Sequence, residues 1–142
     1  MSKERKKVVL INGSPKIGQN SVSNLLTSIQ EEKIKDNEYD IYKIDVRKSL
    51  AKGETENDYR AMIQADAMII TFPLYIFCLP GLLMRFLQDY FEFHSKNSDH
   101  SRPHVYAVVN CGFPEAWINR EAVDVIKSFS RSIGASFRFG VL

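Results

Sequence analysis

Short apolar runs recur along the chain with the length and composition of buried strands. The first, Val8–Ile11, is continuous and rich in β-branched residues, the pattern of a central parallel strand covered on both faces. It ends in the turn residues Asn12 to Pro15. Similar runs predict four more strands, at Tyr39–Val46, Ala67–Thr71, Val105–Asn110 and Phe137–Leu142.

Between these runs, apolar residues repeat at the spacing of amphipathic helices. The first helix is marked by Val22, Leu25, Leu26 and Ile29, and either Asn20 or Ser21 is a suitable N-cap for it. Three more helices are predicted, at Asp58–Ala65, Gly81–Phe91 and Glu121–Ile133. Gly134 closes the last of them in the position of a C-cap glycine.

Five strands therefore alternate with four helices, and no internal repeat is visible. This alternation predicts a single α/β domain over residues 1–142, with a parallel sheet between two helical layers. Right-handed crossovers leave two common strand orders, the flavodoxin-like order 2-1-3-4-5 and half of a Rossmann fold. Since no G-x-G-x-x-G follows the first strand, the sequence favours a flavodoxin-like, three-layer, doubly wound parallel sheet.

Composition narrows the classes of function. Hydrophobic residues make up 44% of the 142 residues, enough for one buried core, and the formal net charge is only +2, so we expect no nucleic-acid partner. Cys78 and Cys111 lack CxxC spacing, which argues against a disulfide framework or a zinc site and favours a cytoplasmic protein. We expect both to be buried as small apolar side chains. No apolar stretch suits a signal peptide or a membrane span, so no membrane partner is expected.

The three histidines do not suggest a metal site. His94, His100 and His104 lack a ligand-like spacing, and Pro103 interrupts any helix that could align the last two. We therefore expect no metal and predict that these histidines lie in a surface loop.

The loop after the first strand has the composition of an anion site. In a sheet of this order, ligands bind beyond the carboxyl ends of strands one and three, where the winding direction reverses. Gly13–Ser21 brings hydroxyls, an amide, a lysine and backbone N–H groups to a helix N-terminus, which suits a phosphomonoester. The candidate ligands are Ser14, Lys16, Asn20 and Ser21. The same residues are good turn formers, so this loop alone leaves both interpretations open.

Two later loops would meet the first one at the same edge of the sheet. Phe72–Gly81 is nearly all apolar and aromatic, which favours a flat apolar ligand or a protein contact, with packing under the next helix as the alternative. Asn110–Glu115 offers backbone amides beside Gly112, where the edge of a planar ligand can approach. Phe113 and Trp117 are candidates either for a lid over that ligand or for the core of the next helix.

Together these loops resemble the NAD(P)H-dependent FMN reductase and quinone reductase family. The matching segments are GSPKIGQNS at Gly13–Ser21, PLYIFCLPGLLMRFLQD at Pro73–Asp89 and NCGFPE at Asn110–Glu115. The resemblance implies that FMN is the cofactor and that its phosphate is held by Ser14, Lys16, Asn20 and Ser21. It implies that the isoalloxazine ring lies along Pro73, Leu74, Tyr75, Ile76 and Phe77. It further implies that the pyrimidine edge of the ring meets Asn110, Cys111 and Gly112.

The resemblance also implies an oxidoreductase that passes hydride from NAD(P)H through FMN to a quinone, a flavin or a similar small acceptor. No catalytic side chain is then required, because the cofactor carries the chemistry. A homodimer is expected, with Leu74–Phe91 near its interface. The alternatives are a flavodoxin-type electron carrier and a truncated, non-catalytic flavodoxin-like domain. Carriers usually dock by strongly acidic faces, which a net charge of +2 does not supply.

The end of the chain departs from this family. Its members usually continue past the fifth strand into a glycine-rich loop and a final helix, whereas this chain stops at Leu142, so we expect a fold in which the final helix is missing. In the last strand, apolar Phe137, Phe139 and Val141 alternate with Arg138, Gly140 and Leu142. We expect the apolar set to pack on the helix Glu121–Ile133. The opposite side of the last two strands then needs cover from a partner chain or second subunit, or leaves the fold marginally stable.

Overall fold

A computed structural model of the protein describes residues 5–16, 21–35, 38–74, 79–110 and 119–141. Within them the strands are β1 (Lys6–Asn12), β2 (Tyr39–Asp45), β3 (Ala67–Pro73), β4 (His104–Asn110) and β5 (Ser136–Val141). Every neighbouring pair is parallel, and the order is β2-β1-β3-β4-β5. The predicted flavodoxin-like strand order is therefore confirmed.

The described residues contain one helix more than the sequence predicted. The helices are α1 (Val22–Ile34), α2 (Val46–Lys52), α3 (Thr55–Ile63), α4 (Gly81–Ser95) and α5 (Arg120–Ser132). The additional helix is α2, which takes over Val46 from the predicted second strand. Its first turn is capped by Asp45, whose carboxylate accepts a hydrogen bond from the backbone N–H of Lys48 at 3.2 Å. It ends at Gly53, whose φ of 66° is readily adopted by glycine.

The main core lies between one face of the sheet and helices α2 to α5. Alternate residues of the central strands are fully buried there, including Ile11, Ile70 and Ala107. The stripe predicted for the last helix faces this core, since Ala122, Ile126, Phe129 and Ile133 are all buried. Gly134 follows with a φ of 67°, as expected for a C-cap glycine. Helix α1 lies over β1 and β3 on the opposite face, as the reversal in winding direction requires.

The apolar stripe of α1 does not face the sheet. The side chains turned toward the sheet are polar, and Ser23 and Thr27 are the buried residues of this helix. The Ser23 hydroxyl donates to Asn110 Oδ1 at 2.8 Å, and Gln30 Nε2 donates to Thr71 Oγ1 at 2.8 Å. The buried Gln30 Oε1 has no hydrogen-bond partner among the described residues. Three of the four stripe residues are left half exposed, at 55%, 59% and 47% for Val22, Leu25 and Ile29, and Leu26 is partly buried.

A β-bulge divides the apolar side chains of β5 between the two faces of the sheet. Val105 pairs with Phe137 but Tyr106 pairs with Phe139, so Arg138 is an extra residue in the ladder. Phe137 packs against the core on the α5 side, as predicted. The same prediction is wrong for Phe139 and Val141, which the bulge transfers to the opposite face, where they are 57% and 50% exposed.

Gly140 lies on the α5 side of the bulged strand. A Cβ added there would come 3.1 Å from Val123 of α5, closer than side chains normally allow. The close approach of α5 therefore favours glycine at the point where the strand changes register.

The histidines do not all lie in a loop. Helix α4 continues to Ser95, so His94 is part of its last turn and is buried. His100 lies in the loop that follows, and His104 begins β4. The imidazoles of His94 and His100 contact each other, with ring centroids 4.0 Å apart. Burial, with a further contribution from His100, lowers the pKa of His94.

None of the helices in the described part of the chain is long and apolar enough to cross a bilayer.

Candidate functional site

The loops singled out in the sequence begin at one edge of the sheet. Backbone hydrogen bonds join the ends of three neighbouring strands there: Gly13 N–H donates to Thr71 O at 2.8 Å, and Leu74 N–H donates to Asn110 O at 3.0 Å. The segments that follow β1, β3 and β4 therefore start side by side, at the point where the strand order reverses.

Two nested side-chain turns shape the start of the first loop. Asn12 Oδ1 accepts from the N–H of Ser14 at 3.0 Å, and Ser14 Oγ accepts from the N–H of Lys16 at 3.2 Å. Asn12 and Ser14 are buried, whereas Lys16 is exposed. The Ser14 hydroxyl keeps its own proton to donate, because a hydroxyl can accept and donate at once. Residues 12–16 are thus held in one shape, with a cationic side chain at the surface.

Ser21 is the N-cap of α1, which decides between the two predicted capping residues. Its Oγ accepts from the N–H of Asn24 at 3.0 Å, and its backbone is extended, with φ −87° and ψ 147°. The Ser21 hydroxyl also keeps a proton to donate. It lies at the positive end of a 13-residue helix, which favours a negatively charged ligand.

Asn110 ties the end of β4 to the same region. Its amide oxygen accepts from the Ser23 hydroxyl, so the NH₂ group is the end of this amide that can donate to a ligand. Neither Asn12 nor Ser23 was predicted as part of the site. Each positions another residue through a hydrogen bond: Asn12 positions Ser14, and Ser23 positions Asn110. An asparagine two residues before a serine is a recognisable turn signal, but nothing in the sequence shows that Ser23 faces the sheet.

The first loop also lies directly against α4. A Cβ added at Gly13 would come 2.6 Å from Leu83 Cδ2, and Leu83 is fully buried. This close approach favours glycine, because any larger residue would displace the Leu83 side chain. The contact joins the loop after β1 to the helix that follows the apolar loop after β3.

The structure thus brings six predicted residues to one edge of the sheet: Ser14, Lys16, Ser21, Pro73, Leu74 and Asn110. Six others lie outside the described residues: Asn20, Tyr75, Ile76, Phe77, Cys111 and Gly112. Cys78, Phe113 and Trp117 lie outside them as well.

The donors that are described fit a phosphate monoester. Hydroxyl protons, a lysine and a helix N-terminus suit an anion with several acceptor oxygens. In the described ranges no three His, Cys, Asp or Glu side chains lie close enough to hold a metal ion.

Comparison with known proteins places the chain among proteins of this fold. A family described by its flavodoxin-like fold matches residues 6–123. The apo form of an NADH:FMN oxidoreductase is similar in structure, with 21% identity, a TM-score of 0.67, and 96% of this chain and 73% of that chain covered. General stress protein 14 from Treponema denticola, in complex with FMN, has 15% identity and a TM-score of 0.65, covering 96% and 84%. An NADPH-quinone reductase from P. pentosaceus has 14% identity and a TM-score of 0.67, covering 97% and 84%. None of the curated proteins matches the chain in sequence.

Proposed function

Because this chain belongs to the family with the flavodoxin-like fold, we propose that it is an FMN-dependent NAD(P)H oxidoreductase. Its electron acceptor would be a quinone, a flavin or a similar aromatic oxidant. Similar structures named as an NADH:FMN oxidoreductase and an NADPH-quinone reductase support this class of activity. A cytoplasmic location accompanies the proposal, since the sequence carries no paired-cysteine pattern.

One observation carries the choice of cofactor: the shaped loop Asn12–Lys16 and the capping residue Ser21 present hydroxyls and a lysine at the carboxyl end of β1. Ser14, Lys16 and Ser21 would hold the phosphate of FMN, with Asn20 as a fourth donor. Charge-assisted hydrogen bonds of this kind contribute about 1.5–3 kcal/mol each.

The remaining site residues would position the flavin ring. When bound, FMN supplies the redox chemistry, accepting hydride from a nicotinamide and passing electrons to the acceptor. The segment Pro73–Phe77 would line the ring and exclude water. Asn110, whose amide oxygen is already engaged by Ser23, would direct its NH₂ group to a carbonyl oxygen at the pyrimidine edge. Backbone groups of Cys111 and Gly112 would complete that edge and stabilise negative charge on the reduced ring.

A comparison of FMN with riboflavin tests the phosphate loop. We expect FMN to bind more tightly, as measured by quenching of flavin fluorescence, because riboflavin has no phosphate. Ser21→Asp retains an N-cap acceptor but places a negative charge beside the phosphate, so it should weaken FMN binding at least about tenfold and leave riboflavin binding unchanged. Lys16→Ala should also weaken FMN binding and leave riboflavin binding unchanged. Lys52→Ala, at the far end of α2, is the control and should leave the binding of both flavins unchanged.

Equal affinities of the wild type for FMN and riboflavin would contradict this assignment. So would unchanged FMN binding by the double variant Ser14→Ala, Lys16→Ala.

Anaerobic addition of NADH or NADPH distinguishes a reductase from the two alternative functions, an electron carrier and a non-catalytic domain. We expect the flavin absorbance of the loaded protein to bleach on addition of one of the two nucleotides. A flavodoxin-type carrier would retain its flavin but would not be reduced directly by a nicotinamide. A non-catalytic domain would not take up FMN at all. The net charge of +2 favours the reductase, because carriers usually dock by strongly acidic faces.

A further inference from the structure

Arg47, the second residue of α2, is a half-buried cation that lacks an acceptor. Its neighbours Val46 and Ser49 are buried, and its own Nε is buried with no hydrogen-bond partner among the described residues. None of the ion pairs in the described part of the chain includes Arg47. A buried donor on a charged group costs free energy when it is left unpaired, so this position suits an anion that binds from outside.

The carboxylate nearest to Arg47 in the sequence does not neutralise it. Asp45 caps α2 instead, accepting a hydrogen bond from the backbone N–H of Lys48 at 3.2 Å. The side chain of Lys48 is exposed, and Lys16 is exposed on the loop after the neighbouring strand. The carboxyl end of β2 therefore presents positive charge to an approaching ligand.

Arg47 lies at the same edge of the sheet as the candidate site. Asp45 of β2 pairs with Asn12 of β1, so the two parallel strands end level with each other. Arg47 follows β2 as Ser14 follows β1, and neighbouring strands are only about 4.8 Å apart. The sequence did not single out Arg47, but the fold places it at the margin of the site.

The phosphate of FMN is not the anion that Arg47 fits best. That phosphate has donors in Ser14, Lys16 and the N-cap Ser21 of α1. Helix α1 lies over one face of the sheet, whereas α2 packs on the opposite face. Arg47 is therefore suited to a second anionic group that reaches the same edge of the sheet.

We propose that Arg47 binds the 2′-phosphate of NADPH and makes NADPH the preferred electron donor. This inference rests on the proposed function and narrows its donor from NAD(P)H to NADPH. An arginine near the adenosine ribose is a common means by which nucleotide-binding α/β domains accept this phosphate, because the guanidinium offers parallel N–H donors. NADH carries a hydroxyl at that position and leaves the charge of Arg47 without a counterion.

The layout of the sheet favours a dinucleotide that runs from β3 toward β2. Its nicotinamide would lie on the flavin ring, beside the loops after β3 and β4. From β3 to β2 is two strand spacings, roughly 10 Å, which a dinucleotide can span. In the opposite direction the exposed Arg120 begins α5, but Glu121 follows it in the same turn and would repel a phosphate.

Stopped-flow reduction of the FMN-loaded protein under anaerobic conditions tests this role. We expect the half-saturating concentration of NADPH to be at least about tenfold below that of NADH. The limiting rates should be similar, because the 2′-phosphate is remote from the carbon that gives up hydride. Arg47→Gln should raise the half-saturating concentration of NADPH to that of NADH without changing either limiting rate. Arg120→Gln is the matched control and should retain the preference for NADPH.

Binding of nucleotide fragments gives a readout that is independent of turnover. In titration calorimetry of the FMN-loaded protein, 2′,5′-ADP should bind more tightly than 5′-AMP, and Arg47→Gln should remove the difference. Arg47→Lys keeps the charge but not the planar fork, so it should keep part of the difference. Thermal melting and FMN binding establish that both Arg47 variants are folded and loaded.

The proposal is overturned if the wild type does not prefer NADPH, if Arg47→Gln keeps the preference, or if Arg120→Gln removes it. It is equally overturned if Arg47→Gln weakens the binding of FMN but not of riboflavin, since Arg47 would then serve the FMN phosphate. Reduction by NADH alone would overturn this inference and leave the proposed function intact. Failure of both nucleotides to reduce the bound flavin would overturn both.

Discussion

At the scale of single residues, His94 illustrates how an element boundary decides the chemistry of a side chain. The sequence placed it in a surface loop because the apolar repeat fades after Phe91. Helix α4 continues to Ser95, so the imidazole is 9% exposed and its buried Nε2 has no hydrogen-bond partner among the described residues. His94 follows Leu87 and Tyr90 at helical spacing, but a polar imidazole does not mark a buried face, so nothing in the sequence indicated that the helix extends to it. Its ring contacts Tyr90 one turn earlier in α4 and His100 in the following loop.

We expect His94 to make the fold sensitive to acid. Its pKa is lowered in the folded state, whereas the unfolded chain takes up a proton near the ordinary value of about 6.5. The unfolded state therefore binds more protons below that pH, and stability is present above it and falls as the pH decreases. His94→Phe should reduce the drop in melting temperature between about pH 7.5 and about pH 5.5.

His104→Gln, at the exposed start of β4, serves as the control for this measurement and should behave like the wild type. An equal pH dependence of melting in wild type and His94→Phe would assign the acid sensitivity to other groups.

At the scale of elements, hydrophobic periodicity predicted well which segments form helices and strands. It predicted less well which side of each element faces the core. The stripe of α5 faces the core as its spacing suggests, and so does most of the stripe of α4. The exception in α4 is Phe91, which is 44% exposed. The stripe of α1 does not face the sheet, because Ser23 and Gln30 find hydrogen-bond partners there. In β5 the alternation of Phe137, Phe139 and Val141 predicts one shared face, and a single bulged residue breaks it. Helix α2 was missed because it is short and polar, although Asp45 and Gly53 carry its capping signals.

The contact between the first loop and α4 gives a prediction for Gly13. A Cβ at Gly13 would lie 2.6 Å from a methyl group of Leu83, which is fully buried, so the Leu83 side chain would have to shift within the packed core. Gly13→Ala should therefore lower the free energy of unfolding by about 1–3 kcal/mol, as overpacked core sites do. Adding Leu83→Ala provides space, so the double variant should be less destabilised than the two single changes summed.

Gly81→Ala is the matched control for this cycle, because no atom lies within 4 Å of a Cβ added there. It should be neutral or slightly stabilising in chemical denaturation. Strict additivity of Gly13→Ala and Leu83→Ala would show that the loop does not depend on this contact.

At the scale of the whole molecule, the rules for connecting parallel strands predicted more of the fold than the pattern of apolar and polar residues did. The order β2-β1-β3-β4-β5 follows from strict alternation and right-handed crossovers, and it places three loops at one edge of the sheet. It also places α1 alone, among the described helices, on one face of the sheet. The sequence predicted that this face needs cover. It could not show that the bulge at Arg138 makes the face apolar by adding Phe139 and Val141.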